Sequence, residues 1–378
     1  MGTDAAATYW KWLCNGHEIF PEMLAAINQA RESVLLEIYI YTGDAVGQKF
    51  REALIAARQR GVTVRVLYDA LGSIGLSAAF WRPLTELGGE VRQFNPLSVH
   101  RLGIRNHRKI LLCDNQVAFV GGFNIAAEYD GDGAASGWFD IGLKVTGALG
   151  RQLAAAFREM FERADFQHKL FVRFRRSPAS RALAAPEGEL LLSGPGRGRN
   201  PIRHALLRDL KRGRDVRIIA AYFLPTWRIR RALERIVRGG GAVRLLLAGK
   251  SDVLLSQLAG QSLYRRLLSA GVEINEYQPQ ILHAKLIIID DVVYVGSANL
   301  DQRSLINYEL ALRFQNRDLA DGARQVFSTA LAHCRRITPE EWRRSRTVWR
   351  KLKQRWAYLL LVRIDPYLAH KQWRALAD

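Results

Sequence analysis

The chain has 378 residues, enough for two α/β units of ordinary size. Its 56 lysines and arginines face 36 acidic residues, a formal net charge of +20, which argues against an indifferent surface and for a polyanionic partner, either an anionic bilayer or a nucleic acid. Three cysteines (Cys14, Cys113, Cys334) exclude a disulfide framework and fit a reducing compartment.

Met1–Trp12 lacks the basic start and long apolar stretch of a secretory signal. Val34–Tyr41 predicts a strand with Glu37 in its apolar run, read either as a buried carboxylate with a partner or as a site carboxylate. A helical stretch and a second strand, Gly61–Asp69, follow. Leu84–Pro96 predicts the end of a helix and a third strand, ahead of a segment whose His100 reads as a solvated loop residue. Turn-forming residues cluster in Arg175–Gly196 and mark a boundary. The same order then returns: Val216–Phe223, a helical stretch, Gly241–Leu247, and Leu267–Pro279. Strands alternating with helices of this length predict α/β sandwiches. The expected division is 1–185, 186–335 and a tail, 336–378.

Inside this long repeat lies a shorter one. His107-Arg108-Lys109 leads through an apolar run to Asp114, and His283-Ala284-Lys285 leads through another to Asp290. Each copy passes through a turn and a second apolar run into Gly121-Gly122-Phe123-Asn124 or Gly296-Ser297-Ala298-Asn299. In a strand, residues i and i+2 share a face, so each histidine shares a pocket with its lysine. Doubling back at the turn returns Asn124 beside His107 and Asn299 beside His283, with the second turn one residue shorter. Asp114 and Asp290 fall in the turns, which suits orienting or structural work. Two imidazoles, two ammonium groups and two amides provide a nucleophile, an acid/base and holders for phosphoryl oxygens. A metal is not called for, because a lysine stands where the ion would sit and no cysteine or carboxylate pair completes a ligand set.

This pattern resembles the phospholipase D superfamily, and within it the bacterial cardiolipin synthases of the type without N-terminal membrane spans. The resemblance runs from about Asn15 to about Phe327 and rests on the two motifs, on Leu36-Glu37-Ile38-Tyr39-Ile40, and on Gly296–Asn299 followed by Leu300-Asp301-Gln302-Arg303-Ser304. It implies two similar halves about a pseudo-twofold axis, sharing one site and needing no cofactor. It implies His107, Lys109, Asp114, His283, Lys285 and Asp290 as the catalytic set, with His107 as nucleophile and His283 as acid/base. Asn124 and Asn299 would bind phosphate, and Glu37, Ser297, Arg303 and Glu309 would line the site. One departure is that only Leu305-Ile306 separates Arg303-Ser304 from Asn307-Tyr308-Glu309, where the family commonly has three residues.

The implied activity is condensation of two phosphatidylglycerols to cardiolipin and glycerol through a phosphohistidine. It would occur at the cytoplasmic face of a bacterial inner membrane, with no obligatory nucleic acid. Phospholipase-type hydrolysis, or phosphodiester cleavage of nucleic acid, is the alternative. Trp342, Trp349 and Trp356 recur every seven residues among Arg343, Arg344, Arg350, Lys351, Lys353 and Arg355. Such a helix fits a membrane interface; packing of its tryptophans on the catalytic units is the other reading, and both can hold for different turns. The residues alone leave open which histidine attacks, the acceptor alcohol and the oligomeric state.

Overall fold

The computed structural model describes residues 9–96, 104–164, 179–196, 199–345 and 347–364. His100 and parts of the basic stretches (173–178, Arg197, Arg346) lie outside them.

The first unit begins with β1 (Trp10–Cys14), α1 (Asn15–Gln29), β2 (Ser33–Ile38), α2 (Ala45–Gln59) and β3 (Thr63–Asp69). It continues through α3 (Ala78–Glu86), β4 (Glu90–Phe94), β5 (Ile110–Cys113), β6 (Val117–Gly121), β7 (Ile141–Thr146) and α4 (Leu149–Glu162). The second opens with β8 (Arg181–Ala184), β9 (Glu189–Ser193), α5 (Pro201–Leu210), β10 (Asp215–Ala220) and α6 (Trp227–Arg238). Next come β11 (Ala242–Ala248), α7 (Leu254–Gln261), α8 (Tyr264–Ser269), β12 (Glu273–Tyr277), β13 (Lys285–Ile289) and β14 (Val292–Gly296). It ends with β15 (Glu309–Gln315), α9 (Arg317–Leu331), β16 (Cys334–Ile337), α10 (Pro339–Arg344) and α11 (Val348–Leu359).

The sheet orders are β1-β7-β6-β5-β2-β3-β4 and β16-β12-β11-β10-β13-β14-β15-β9-β8. The run β7-β6-β5-β2-β3-β4 therefore has its counterpart in β15-β14-β13-β10-β11-β12. In each, three parallel strands adjoin an antiparallel motif hairpin. Strand pairing assigns Arg181–Ala184 and Cys334–Ile337 to the second sheet.

The inner faces of both sheets contribute to one apolar core. Leu35, Leu112, Val120 and Leu143 meet Ile219, Leu286, Val295 and Leu312, with Phe157 of α4 and Phe327 of α9. Each sheet's outer face carries its own helices and its own smaller cluster. Motif strands buried on both sides explain the near-continuous apolar runs.

The tail divides by turn. Trp342, on α10, is 4% exposed and its ring meets Tyr264 at 4.8 Å. Trp349 and Trp356, on the separate helix α11, are 74% and 60% exposed, beside exposed Val348, Leu352 and Leu359. The opposite face of α11 packs down, with Gln354 and Ala357 buried and Gln261 of α7 receiving Arg350 and Gln354. Among the described residues no helix is long and apolar enough to cross a membrane.

Candidate active site

Both motif turns form as the spacing predicts. Cys113 pairs with Val117 across three residues, and Ile289 with Val292 across two. Asp114, Asn115 and Asp290 adopt positive φ, which short Asx side chains tolerate. The catalytic role that the resemblance implies for Asp114 and Asp290 does not fit their position at the far end of the hairpins. Asp114 accepts the backbone N–H groups of Arg31, Glu32 and Ser33, and Asp290 those of Arg214 and Asp215. Each carboxylate ties the start of a parallel strand to its motif turn.

At the other end, regular pairing starts only at Ile110 and Lys285, so His107 and His283 lie just outside the strands. The reason is a change of partner. The segment at Asn106 bridges Tyr308 of the opposite half, and Leu282 bridges Phe139. His107 N–H donates to the Tyr308 carbonyl (3.0 Å) and His283 N–H to the Phe139 carbonyl (2.8 Å). The next residue in each opposing segment is acidic. His107 Nδ1 stands 3.1 Å from Glu309 Oε2, and His283 Nδ1 stands 2.7 Å from Asp140 Oδ2. Each half thus supplies one imidazole and orients the other half's imidazole.

Asp140 was missed in the sequence, although a signal was present. Asp140-Ile-Gly-Leu-Lys144 parallels Glu309-Leu-Ala-Leu-Arg313, and both open the strand after a motif hairpin. Small residues make room for both carboxylates. A Cβ on Gly122 would lie 2.3 Å from Asp140 Oδ1, and at the equivalent position Ser297 donates its hydroxyl to Glu309 (2.5 Å). The shortened spacing after Arg303-Ser304 is absorbed in a 3-10 turn, Arg303–Leu305, that still delivers Glu309 to His107.

Both histidines open on one pocket of about 420 Å³, which Asn124, Asn299, Arg303 and Glu309 also line. Asn124 accepts the Ile40 N–H and donates to the Tyr129 hydroxyl, which in turn lies 3.4 Å from His283 Nε2. Tyr39 meets His107 edge-on at 4.9 Å, and Trp138 flanks His283. Tyr222, hydrogen-bonded to Asp252, adds a further wall that the motifs gave no reason to expect.

Lys109 and Lys285 are buried behind the histidines. Lys109 donates to the His107 carbonyl (2.8 Å), and Lys285 Nζ lies 3.1 and 3.2 Å from the ring nitrogens of His283. Glu37 and Ser297 do not line the pocket as the resemblance implies. Ser297 is buried against Glu309. Glu37 is fully buried and accepts from Asn106 (2.8 Å), the residue before His107, with Arg108 as its nearby cation. Burial raises its pKa against both. A second buried carboxylate, Asp69, grips the same segment through Arg105 (2.7 Å) and the Asn106 N–H (2.9 Å).

Burial also sets the protonation of the working groups. It pushes His107 down to about 4, with Glu309 opposing and Lys109 reinforcing the shift. His283 is lowered by burial and by Lys285, with Asp140 opposing. Lys109 is pushed down to about 7 by burial and by Lys285. With a carboxylate accepting at Nδ1, a neutral imidazole carries its lone pair on Nε2. The arrangement can attack an electrophile with one imidazole, move a proton with the other, and receive an anion over two buried ammonium groups.

Residues 23–164 and 206–331 match the family described as cardiolipin synthase, phospholipase D-like domain. The chain is 35% identical over 82% of its length to cardiolipin synthase 1 of Bacillus cereus, covering 64% of that protein. It is 31% identical to cardiolipin synthase B of Salmonella typhimurium, over 92% of this chain and 86% of that one. It therefore spans somewhat under two thirds of the Bacillus cereus relative's length. Among solved structures, phosphatidylserine synthase of Haemophilus influenzae has the same fold, with TM-score 0.75 and 14% identity over 95% of this chain and 94% of that one. Two matched segments, two mixed sheets and this neighbour establish two phospholipase D-like halves.

Proposed function

The chain belongs to the family of cardiolipin synthase phospholipase D-like domains, and on that premise we propose that it transfers phosphatidyl groups between alcohols, condensing two phosphatidylglycerols. The observation that carries this reading is the exchanged pair of His–carboxylate contacts opening on one pocket. His107 Nε2 attacks phosphorus, the P–O bond to the glycerol headgroup breaks, and His283 gives its proton to the departing oxygen. The second phosphatidylglycerol then loses a hydroxyl proton to His283 as its oxygen attacks phosphorus and the P–N bond breaks. Cardiolipin leaves, and both imidazoles return to their starting states. His107 is assigned the attack because its side chain is the more exposed of the two, and burial favours its unprotonated form. Lys109, Lys285 and Asn299 stabilise the phosphoryl oxygens, while Asn124 acts through Tyr129.

The pocket rim favours lipid over nucleic acid. Leu224, Val253, Leu255 and Leu361 border it, and exposed Leu254 and the outward face of α11 lie on the adjoining helices. Acyl chains leaving the headgroup site meet apolar side chains there. This supports a peripheral position on the bilayer.

Labelled phosphatidylglycerol vesicles test the reading. The expected products are glycerol and a four-chain, two-phosphate lipid, with the rate unchanged by chelators. His107→Ala and His283→Ala should each abolish transfer, and acid-labile label should be trapped on His107. DNA cleavage that needs His107, with no lipid turnover, would overturn the assignment.

A further inference from the structure

A second concavity, larger than the histidine pocket, lies elsewhere on the second half. A groove of about 980 Å³ runs between α5 and α6 on the outer face of the second half. Eight arginine and lysine side chains line it against one carboxylate, Glu234. Arg203 and Lys211 project from α5 and its C-cap, and Arg228, Arg231, Arg235 and Arg238 form one face of α6. Like charges three and four residues apart oppose helix formation, so this face needs countercharge. Little is supplied internally. Glu234 is held by Arg266 and Arg238, and Arg208 pairs with Glu189 and Asp209. Among the described residues, Arg203, Lys211, Arg228, Arg231 and Arg235 have no carboxylate within ion-pair distance.

We propose that this groove is a second, non-catalytic site for the phosphate headgroups of anionic lipids in the bilayer. Guanidinium forks match phosphate oxygens in pairs, and a row of them fits several headgroups lying in one plane. Two further observations favour a lipid surface over a nucleic acid. Trp227 sits at the end of the groove, 55% exposed, with the guanidinium groups of Arg228 and Arg231 each 5.7 Å from its ring; Trp is a side chain suited to the headgroup boundary. Arg230, on the neighbouring face of α6, reaches the Tyr358 hydroxyl of α11 (3.4 Å). The groove thus lies on one face of α6, and α11, which carries the exposed Trp349, Leu352 and Trp356, meets the neighbouring face. A nucleic acid has no use for that apolar flank, whereas a bilayer covers both at once. The inference rests on the membrane side of the proposed function and not on its chemistry.

The test is a fourfold variant, Arg203→Gln, Lys211→Gln, Arg231→Gln and Arg235→Gln, in the full chain. Partition onto phosphatidylcholine vesicles containing phosphatidylglycerol should fall up to roughly 1,000-fold, and the weak binding to pure phosphatidylcholine should not change. A control removing four exposed charges elsewhere, Lys49, Arg82, Arg151 and Arg317, should lose less than about fivefold by screened, diffuse attraction alone. Turnover of short-chain, monomeric phosphatidylglycerol should match wild type in both, which also reports folding. If the fourfold variant is unfolded, the pair Arg203→Gln and Arg231→Gln is read in the same way, with up to roughly a 30-fold loss expected. Equal losses in groove and control variants would overturn the proposal. So would unchanged vesicle binding accompanied by lost binding of inorganic phosphate, or of a single-stranded oligonucleotide. Groove-dependent vesicle binding without any lipid turnover would keep this inference and reject the synthase assignment.

Discussion

Replacing Asp140 by Asn gives the sharpest view of how the two histidines divide their work. In the native site Asp140 Oδ1 accepts the Ile141 N–H (2.8 Å), while Oδ2 faces His283 Nδ1 (2.7 Å). The single oxygen of Asn is drawn to the Ile141 N–H, so its NH₂ group faces His283. His283 must then accept at Nδ1 and carry its proton on Nε2, the wrong tautomer for deprotonating the incoming alcohol. Asp140 also raises the His283 pKa against burial, so its removal lowers that pKa further. A charge-assisted hydrogen bond is worth about 1.5–3 kcal/mol, which corresponds to roughly 10–150-fold in rate or about 1–2 pH units in a titrating limb. In the proposed mechanism His283 is protonated when glycerol leaves, so the alkaline limb of kcat/KM should move to lower pH. Glu309→Gln removes the group that raises His107. In the proposed mechanism His107 attacks unprotonated, so in that variant the acid limb should move down and the alkaline limb should stay. Glycerol release from short-chain phosphatidylglycerol, followed across pH, reads both. Swapped limbs would exchange the roles of the histidines. Rates within twofold of wild type and unmoved limbs would refute the reasoning.

Three further outcomes are expected. Asp114→Ala should lower stability by about 1–3 kcal/mol with kcat on monomeric substrate unchanged. Burial raises the Asp114 pKa and three backbone N–H groups more than offset it, leaving a net lowering; its contribution is therefore present above the ordinary carboxylate value and lost as pH falls through the folded one. Gly122→Ala places a Cβ 2.3 Å from Asp140 Oδ1, so it should reproduce the Asp140→Asn loss of rate while Gly122→Ser does no better. Trp342→Ala should cost about 3–5 kcal/mol in a melting or denaturant experiment, whereas Trp349→Ala with Trp356→Ala should leave the melting temperature in place and weaken vesicle binding.

The repeat was the legible part, because a strand buried on both faces and a short Asx turn both leave strong local marks. Val34–Tyr41 and Val216–Phe223 become equivalent strands, and the two hairpins differ by the one residue that the spacing predicts. The orienting carboxylates were harder to see, since the contact of His283 with Asp140 spans 143 positions and depends on how the halves dock. Glu37 left two readings open for a related reason. The structure shows the buried carboxylate with a partner, and that partner, Asn106, lies 69 positions away in the segment that presents His107. The seven-residue spacing of the tail tryptophans suggested one helix. Two helices carry them instead, α10 ending at Arg344 and α11 starting at Val348, and Trp342 is buried while the other two are exposed.

The exchange of carboxylates links catalysis to the core. Neither half holds a complete site, because the His107 segment is hydrogen-bonded to Tyr308 and the His283 segment to Phe139, each one residue before the acidic partner. Those bridges keep register only while the inner faces of both sheets stay packed around the shared cluster of Leu112, Val120, Leu286 and Val295. A cavity opened there loosens the docking of the halves, and with it both His–carboxylate distances at once. The single-half symmetry of the motif is therefore incomplete by itself. The duplicated chain turns a contact between two units into a fixed geometry, and the remaining differences, Asp140 against Glu309 and Gly122 against Ser297, are where the surroundings of the two imidazoles diverge, as the proposed division of roles requires.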